Sequence, residues 1–264
     1  MDDLGRYVQD RVDSQGSRLL RSVRPLAVFR EGFDPTPVGS AVLLWYRGSR
    51  YFVTAAHVLD SFPTIAHSIG SNQRWITVSG PYQMTDPPNG DRDKDRVDIG
   101  FGLIPAGAAA ELESDGCHFF TADEVSEHET VRFDSPTRSK YLFLGYPLHE
   151  FRYLRFSNST ETPNRPVMAN IVPRSDHVTL GLSIGSHIVT EYDHKEVFSA
   201  EGTQSSPKLT GLSGGGAFRF PIIENRFDLT QPSLAGVLIE QDKQSRRLIA
   251  TRLAVVFELM RRAS

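Results

Sequence analysis

Cysteine is almost absent from this sequence, in which Cys117 is the single example among 264 residues. One thiol cannot form an internal disulfide, and no second cysteine is available for a structural zinc site. Small disulfide-stabilised folds and cysteine-based zinc folds are therefore excluded. The composition fits a reducing compartment, so we expect a cytoplasmic location.

An excess of positive charge is also missing. The chain carries 29 basic and 32 acidic side chains, a formal net charge of −3 and a sequence pI near 6.2. Nucleic-acid binding requires a basic field that neutralises phosphates. We therefore expect no nucleic-acid partner.

Long apolar runs are missing as well. No stretch approaches the roughly 20 apolar residues that a membrane-spanning helix needs. The chain begins with Met1, Asp2 and Asp3, which differs from the basic start and apolar run of a secretory signal. We expect neither a membrane partner nor export.

Short strands are the dominant pattern from Arg24 onward. Apolar, β-branched and aromatic runs alternate with turn residues, which is typical of an all-β sandwich or a pair of barrels. Residues 47–50, Arg-Gly-Ser-Arg, predict a hairpin turn. The predicted strands are 25–29, 40–46, 51–55, 75–79, 97–104, 130–133, 141–145, 177–182, 186–191, 216–220, 233–240 and 247–253.

Helices are predicted only near the two ends. An N-terminal helix is indicated within residues 1–23 by helical spacing of apolar residues. These are Leu4, Tyr7, Val8 and Val12. A closing amphipathic helix is predicted from four residues at i, i+3, i+4 and i+7. They are Leu253, Val256, Phe257 and Met260. Residues 106–130, rich in Ala, Glu and Asp, are expected to connect two β halves.

The sharpest chemical signal is the segment 211–216, which reads Gly-Leu-Ser-Gly-Gly-Gly. Glycines reach positive φ cheaply and let a substrate approach the main chain closely. A serine in such a segment can be exposed as a nucleophile. The N–H groups of Gly211 and Ser213 can point together at a developing oxyanion. Alone, the segment also fits an ordinary glycine-rich turn.

A histidine and an acid occur at the ends of two predicted strands. His57 follows the small residues of Thr-Ala-Ala, and Asp98 lies between apolar neighbours at the start of another strand. Each residue alone also fits a structural role, as a packed histidine or a strand-end cap. Asp91, Asp93 and Asp95 compete with Asp98, but they lie in a run of alternating charges typical of a solvated loop.

The order His57, Asp98, Ser213 is the order found in chymotrypsin and differs from that of α/β-hydrolases and subtilisin. With Thr-Ala-Ala-His at 54–57, Asp-Ile-Gly-Phe at 98–101 and Gly-Leu-Ser-Gly-Gly at 211–215, the chain resembles the trypsin/chymotrypsin-like serine peptidases. The resemblance covers most of the sequence, from about residue 24 to 262. Residues 234–238, Leu-Ala-Gly-Val-Leu, resemble the substrate-flanking strand.

The resemblance implies a chymotrypsin-like double six-stranded β-barrel with the active site between the barrels. The expected divisions are an N-terminal helical extension (1–23), a first barrel (24–115) and a second barrel with the closing helix (116–264). Ser213 would be the nucleophile, His57 the general base and Asp98 the residue that orients the imidazole. The amides of Gly211 and Ser213 would form the oxyanion hole, and no cofactor or metal is expected.

Three departures from the family pattern affect the expected activity. Leu212 replaces the aspartate that binds a newly cut N-terminus in secreted members, so activation by cleavage is not expected. Val58 replaces a disulfide cysteine. Pro207 occupies the position that usually sets specificity, and neither it nor Lys208 supplies a carboxylate. Cleavage specificity therefore stays open. The expected substrate-binding residues are Pro207, Lys208, Thr210, Ile239, Glu240 and Gln241.

These departures bring the chain closer to intracellular bacterial trypsin-like domains and to HtrA-type protease domains. Because no PDZ-sized module follows Ser264, a protease domain alone is expected. The predicted function is serine endopeptidase activity on a protein or peptide substrate. The alternative is a catalytically silent or partner-activated homologue that binds peptides, with an activating protein as its partner. A third interpretation is esterase or acyl-transfer activity by the same residues.

Other motifs give weaker signals. Residues 181–185, Gly-Leu-Ser-Ile-Gly, match the nucleophile elbow of α/β-hydrolases, but that elbow must open into a helix and the following residues favour a strand. The histidines lack the spacing of a zinc site. Cys117 beside His118 suggests a thiol nucleophile, but sequence neighbours are not spatial partners, and a buried or loop cysteine is expected.

Overall fold

Antiparallel strands dominate the structure. The computed structural model of the chain describes residues 18–30, 33–62, 66–79, 81–125, 140–154, 159–161, 165–171, 174–192, 197–199, 202–204, 209–220, 222–223, 226–227, 232–242 and 244–263. Within them the chain is mostly β, with two antiparallel sheets and a few helices.

The first sheet contains seven strands. They are β1 (Val23–Val28), β2 (Thr36–Tyr46), β3 (Ser49–Ala55), β4 (His67–Gly70), β5 (Trp75–Val78), β6 (Tyr82–Met84) and β7 (Ile99–Leu103). Their order in the sheet is β5-β4-β1-β2-β3-β7-β6. The turn between β2 and β3 is the predicted hairpin: Arg47 and Gly48 have φ of 47° and 81°, and Tyr46 pairs with Ser49. Positive φ at both central residues is the geometry of a two-residue type I′ turn.

The second sheet is formed later in the chain. The strands of this part are β8 (Lys140–Gly145), β9 (Arg152–Leu154), β10 (Ser159–Glu161), β11 (Arg165–Ile171), β12 (His187–Glu191), β13 (Val197–Ser199), β14 (Gly202–Gln204), β15 (Gly216–Phe220), β16 (Ile222–Ile223), β17 (Arg226–Phe227), β18 (Ser233–Asp242) and β19 (Arg247–Arg252). Six of them close on themselves in the order β11-β12-β19-β18-β15-β8. The pairs β9–β10, β13–β14 and β16–β17 form small two-stranded sheets.

The expected double six-stranded barrel is confirmed only in part. The structure has two main antiparallel sheets. The first sheet has seven strands rather than six, and its order has two ends, at β5 and β6, in the described part of the chain. The ranges 24–115 and 116–264 stay predictions as domain boundaries. The predicted strand at 130–133 lies outside the described residues.

The closing helix is confirmed. The described helices are α1 (18–22), α2 (Ala56–Asp60), α3 (Ala106–Ser114), α4 (Arg174–Thr179) and α5 (Leu253–Ala263). The residues that α5 buries are Leu253, Val256, Phe257 and Met260, the four that predicted its apolar face. The apolar residues that predicted the N-terminal helix lie outside the described residues, which begin with α1.

One expectation about local structure is wrong. Residues 177–182, predicted as a strand, form the last turns of α4 and its end. Leu182 N–H donates to His177 O and Gly181 N–H to Val178 O, and Gly181 has φ of 66°. This pair of bonds with a left-handed glycine is a Schellman C-cap. The connection at 106–130 contains helix α3, which buries Ala109 and Leu112.

Both sheets contribute to one apolar core. The rings of Phe120 and Phe218 lie 5.6 Å apart, and Tyr46 stacks on Phe257 of α5 at 4.8 Å. A second apolar cluster lies within the closed sheet. In the ranges that the structure describes, no helix is long and apolar enough to span a bilayer.

Candidate active site

His57 lies at the point where β3 passes into the short helix α2. Its neighbours Ala55 and Ala56 are fully buried, so the chain turns there against the core. Ala55 precedes the helix without a side-chain cap. The first N–H groups of a helix have no acceptor within it, so another part of the chain must supply one. That acceptor is Asp98.

Asp98 binds both the backbone and the ring of the histidine segment. Its main-chain O accepts Ala56 N–H at 2.9 Å, and its Oδ1 accepts His57 N–H at 2.9 Å. Its Oδ2 lies 2.6 Å from His57 Nδ1. The structural role as a cap and the orientation of the imidazole are therefore combined in one carboxylate. With Nδ1 held by Asp98, Nε2 is the ring nitrogen left for a reacting group.

The backbone at Asp98 is strained. Its φ is 45°, in the left-handed region, and the residue is 7% exposed. Aspartate tolerates this region better than most residues, and such strain persists where surrounding contacts hold it. Here the contacts are the bonds to α2 and the start of β7 at Ile99. The left-handed turn directs the carboxylate back towards His57.

Two of the three competing acids, Asp91 and Asp95, have other partners. Asp95 Oδ2 accepts from Arg92 at 2.6 Å, and Asp91 pairs with Lys94 at 2.8 Å. Arg92 also binds Asp60, the last residue of α2, at 2.6 Å. Arg92 therefore ties the helix that carries His57 to the loop that precedes Asp98.

Asp98 changes the protonation of His57. Burial lowers the pKa of His57, but the hydrogen bond and charge of Asp98 outweigh it, so the pKa is raised above its usual value. Arg92 lowers the pKa of His57 and Asp60 raises it. A carboxylate within hydrogen-bond distance stabilises the imidazolium, as a general base requires when it takes a proton.

Ser213 lies in a loop whose shape depends on glycine. Gly211 and Gly214 have φ of 100° and 85°. A Cβ on Gly214 would lie 1.9 Å from Ser40 O and 2.1 Å from Thr54 Oγ1. The loop is therefore pressed against β2 and β3 of the first sheet. Ser213 itself is partly exposed.

Leu212 fixes the loop from the inside. It is fully buried, with Leu209 and Leu238 in the same apolar cluster. Gly214 N–H donates to Leu238 O at 2.7 Å, which ties the loop to β18. Leu212 is therefore an apolar anchor of the loop.

The two amides expected to form an oxyanion hole carry no hydrogen bond to any described acceptor. The N–H groups of Leu212, Gly214 and Gly215 donate within the loop or to β18, whereas those of Gly211 and Ser213 do not. Leu148 N–H donates to Thr210 O at 2.9 Å. That bond turns the Thr210 carbonyl towards Leu148 and the Gly211 N–H away from it.

The nucleophile loop and the histidine segment meet at Gly39. A Cβ on Gly39 would lie 2.9 Å from a methyl group of Val58 and 3.1 Å from Ser213 O. Ser40 N–H donates to Ser213 O at 2.9 Å. No hydrogen bond joins His57 Nε2 to Ser213 Oγ among the bonds of the described residues. Catalytic hydrogen bonds are often long or poorly aligned without substrate and tighten when it binds.

The expected substrate-binding residues are only partly described. Pro207 and Lys208 lie outside the described residues. Thr210 is exposed beside Gly211, and Ile239 is buried at 4% exposure. The other two are Glu240, which is exposed, and Gln241, which is partly buried.

Glu240 lies in the electrostatic field of the histidine–aspartate pair. Partial desolvation raises the pKa of Glu240, Arg96 lowers it, and the negative charges of Asp242 and Asp98 raise it further. The charge of His57 lowers it.

The weaker motifs do not form a second site in the described residues. Ser183 follows the end of α4 and precedes β12, which is the reverse of the strand-to-helix order of a nucleophile elbow. Cys117 is buried at 6% exposure, and burial raises the pKa of its thiol, which disfavours a thiolate nucleophile. No group of three potential metal ligands occurs in the described part of the chain.

Three contributors to the site were not predicted from the sequence. They are Ser40, Leu148 and Arg92. Ser40 contacts Gly211, which lies 171 positions later in the chain, and Leu148 contacts Thr210, about 60 positions later. No local sequence pattern identifies contacts over such separations. Arg92 lies in the charged run that predicted only a solvated loop.

Comparisons with known proteins concern the fold. No protein-family model and no curated protein matches this chain by sequence. Solved structures do match, and bacterial proteases are among them. The Vibrio cholerae VesB protease matches with 15% identity over 91% of this chain and 63% of that chain, at a TM-score of 0.50. This chain therefore covers less than two thirds of VesB.

Two further structures match at lower scores. The MamO protease domain of Magnetospirillum magneticum has 12% identity, covers 91% and 96% of the two chains and has a TM-score of 0.45. A structure from work on coupled folding and binding of the Sesbania mosaic virus VPg protein has 10% identity, coverage of 89% and 87% and a TM-score of 0.48. At these identities the likeness is one of fold alone.

Proposed function

We propose that this chain is a serine endopeptidase with a chymotrypsin-like double barrel. The observation that carries the proposal is the bidentate contact of Asp98 with His57, at 2.9 Å to the backbone N–H and 2.6 Å to Nδ1. The glycine-rich loop of Ser213, bonded to the first sheet through Ser40, supports it. The protease neighbours give further support at the level of the fold.

In the proposed reaction, Ser213 Oγ attacks the scissile carbonyl carbon while His57 Nε2 takes its proton. The C–N bond then breaks, and the imidazolium returns the proton to the leaving amine. An acyl-enzyme remains on Ser213. Water then attacks the acyl carbon and gives its proton to His57, which releases the carboxylic acid and restores Ser213. Asp98 stabilises the imidazolium in both halves.

The oxyanion formed in each half would accept hydrogen bonds from the amides of Gly211 and Ser213. Such donors stabilise the tetrahedral intermediate, and losing one costs about 10²–10³ in rate. Because Leu212 is an apolar anchor, the loop needs no newly formed N-terminus. We expect a protein or peptide substrate, and a cytoplasmic location stays part of the proposal.

The second candidate is a partner-activated or catalytically silent homologue. It is favoured by the lack of a hydrogen bond between His57 Nε2 and Ser213 Oγ among the bonds of the described residues. A partner or substrate would then have to bring Ser213 Oγ to Nε2.

Digestion of fluorescein-labelled casein tests the proposal. Wild type should release fluorescent peptides, and Ser213→Ala and His57→Ala should each lower the rate by at least about 10⁴-fold. Ser183→Ala is the matched control, because Ser183 also lies between glycines but outside the site. It should retain the wild-type rate.

Equal digestion by wild type and Ser213→Ala would refute the serine mechanism. Absence of digestion by correctly folded wild type, with activity restored by cell extract, would favour the partner-activated homologue.

A further inference from the structure

Ser40 uses every polar atom it has, and its N–H and hydroxyl connect the first sheet to the Ser213 loop and to Tyr146. It lies in β2 of the first sheet and is fully buried. Its N–H donates to Ser213 O at 2.9 Å, and its O accepts from Thr54 Oγ1 at 2.7 Å. Its hydroxyl donates to Gly211 O at 2.9 Å and accepts from Tyr146 N–H at 2.8 Å.

The bonds of Ser40 converge on the residues whose amides would bind the oxyanion. The carbonyl groups of Gly211 and Ser213 are both held by Ser40, one through the hydroxyl and one through the backbone. The bond from Leu148 N–H holds the preceding carbonyl, that of Thr210. Because a peptide group is planar, fixing a carbonyl also fixes the N–H on its other side. The bond to the Thr210 carbonyl therefore fixes Gly211 N–H, and the bond from Ser40 to the Gly211 carbonyl fixes the next peptide group, whose N–H belongs to Leu212. With both peptide groups beside its Cα held, Gly211 has little freedom to rotate.

The backbone alone would not keep this orientation. Gly211 has φ of 100°, a region that only glycine enters readily, and glycine is also the residue with most freedom to leave it. The hydroxyl of Ser40 is therefore a restraint at the position where the loop is intrinsically most variable. It is a neutral group, and its partners are backbone groups.

We propose that Ser40 is a positioning residue, whose hydroxyl holds the peptide group after Gly211 and thereby limits the rotation at Gly211 that would turn its oxyanion-binding amide away from the substrate. The inference rests on the proposed peptidase function. Because the Ser40 hydroxyl and its backbone partners are neutral, this restraint should not depend on pH.

The test uses hydrolysis of p-nitrophenyl acetate, whose acyl group is too small to require a specificity pocket. Ser40→Ala removes the side-chain bonds and leaves the backbone bond to Ser213. We expect kcat to fall about 10- to 100-fold with KM changed less than about threefold, because the hydroxyl acts on the transition state. The acidic limb of the pH profile should not move, because His57 and Asp98 are untouched.

Ser68→Ala is the matched control. Ser68 is a buried serine of the same sheet, 2% exposed, with its hydroxyl 3.1 Å from Thr77 Oγ1. If Ser40 is only structural, Ser40→Ala and Ser68→Ala will lower Tm while kcat stays at the wild-type value, which overturns the inference. Ser40→Cys keeps the volume and weakens the donor. If Ser40→Ala does not fold, Ser40→Cys is measured instead. A wild-type kcat in Ser40→Cys would also overturn the inference.

Different results would contradict the role of Ser40 and the proposed peptidase function. Wild type that neither hydrolyses the ester nor digests casein contradicts the peptidase proposal itself. Active wild type with an equally active Ser40→Ala contradicts only the role of Ser40.

Discussion

The two halves of the candidate site are held by different forces. His57 follows β3 and Asp98 precedes β7 of the first sheet, and beside them Arg92 binds Asp60 and Asp95 through ion pairs of 2.6 Å each. The loop of Ser213 belongs to the second sheet and is held by neutral hydrogen bonds and by apolar burial of Leu212. Ion pairs therefore help to hold the segments of His57 and Asp98, whereas packing helps to hold the loop of Ser213.

The difference has consequences for pH. The raised pKa of His57 means that its interaction with Asp98 stabilises the folded state fully below the unfolded pKa near 6.5. That stabilisation is lost as pH rises through the raised folded-state pKa. A neutral base is needed for catalysis, so activity should rise over the same range. The Ser213 loop has no titrating anchor among its described contacts, so its conformation should not follow pH.

Removing the acid of the pair is expected to have the largest effect. Asp98→Asn keeps the shape but cannot stabilise the imidazolium, and the equivalent change in a Ser-His-Asp enzyme lowers kcat about 10⁴-fold. Ester hydrolysis at pH 7.5 should show that loss. Asp91→Asn, which removes an exposed ion pair, is the control and should remain within about twofold of wild type. An Asp98→Asn variant within tenfold of wild type would show that another acid acts on His57.

Breaking the packing of the loop should destabilise the fold. In Gly214→Ala the new Cβ would lie 1.9 Å from Ser40 O, at a φ of 85°. We expect the free energy of unfolding in urea to fall by about 3 kcal/mol or more. Gly48→Ala is the control, since Gly48 has a similar φ of 81° with nothing within 4 Å of its Cβ position. Its cost should be about 1–2 kcal/mol. If both variants lost the same free energy of unfolding, the close approach of Ser40 O would not restrict the residue type at position 214.

Removing the charged clamp should have the smallest effect and should alter pH dependence. Arg92 lowers the pKa of His57, so Arg92→Met should move the acidic limb of the kcat/KM profile to higher pH. The lost ion pairs should cost about 1–2 kcal/mol. Arg247→Met removes an ion pair of similar exposure, 2.8 Å from Asp176, in the second sheet. Arg247→Met should lower the free energy of unfolding by a similar amount without moving the acidic limb of the kcat/KM profile. If the acidic limb of Arg92→Met moved to lower pH or did not move, the effect of Arg92 on the pKa of His57 would be contradicted.

The sequence predicted what depends on local pattern and missed what depends on contacts across the chain. Helix α5, the hairpin turn at 47–50 and most strands follow from period, turn chemistry and β-branched content. The strand predicted at 177–182 is wrong because the run is short and its end is set by a Schellman cap at Gly181. Short apolar runs do not distinguish a strand from a helix turn.

The candidate site also has one part that local sequence motifs predicted and another that depends on contacts between distant residues. The motifs around His57, Asp98 and Ser213 have local signatures, and the structure brings His57 and Asp98 into contact. The contacts that hold them have none, because Ser40 reaches Gly211 over 171 positions and Tyr146 over 106. The left-handed φ at Asp98 is likewise imposed by its contacts with α2, because no glycine or asparagine marks it.

Labelling with a fluorophosphonate tests the central claim most directly, because the reagent reacts with serines activated by a base. Intact wild type should gain one adduct that peptide mapping assigns to Ser213, and the adduct should disappear in Ser213→Ala and in His57→Ala. Labelling of Ser183, or of no serine in folded wild type, would contradict an active site built from His57, Asp98 and Ser213.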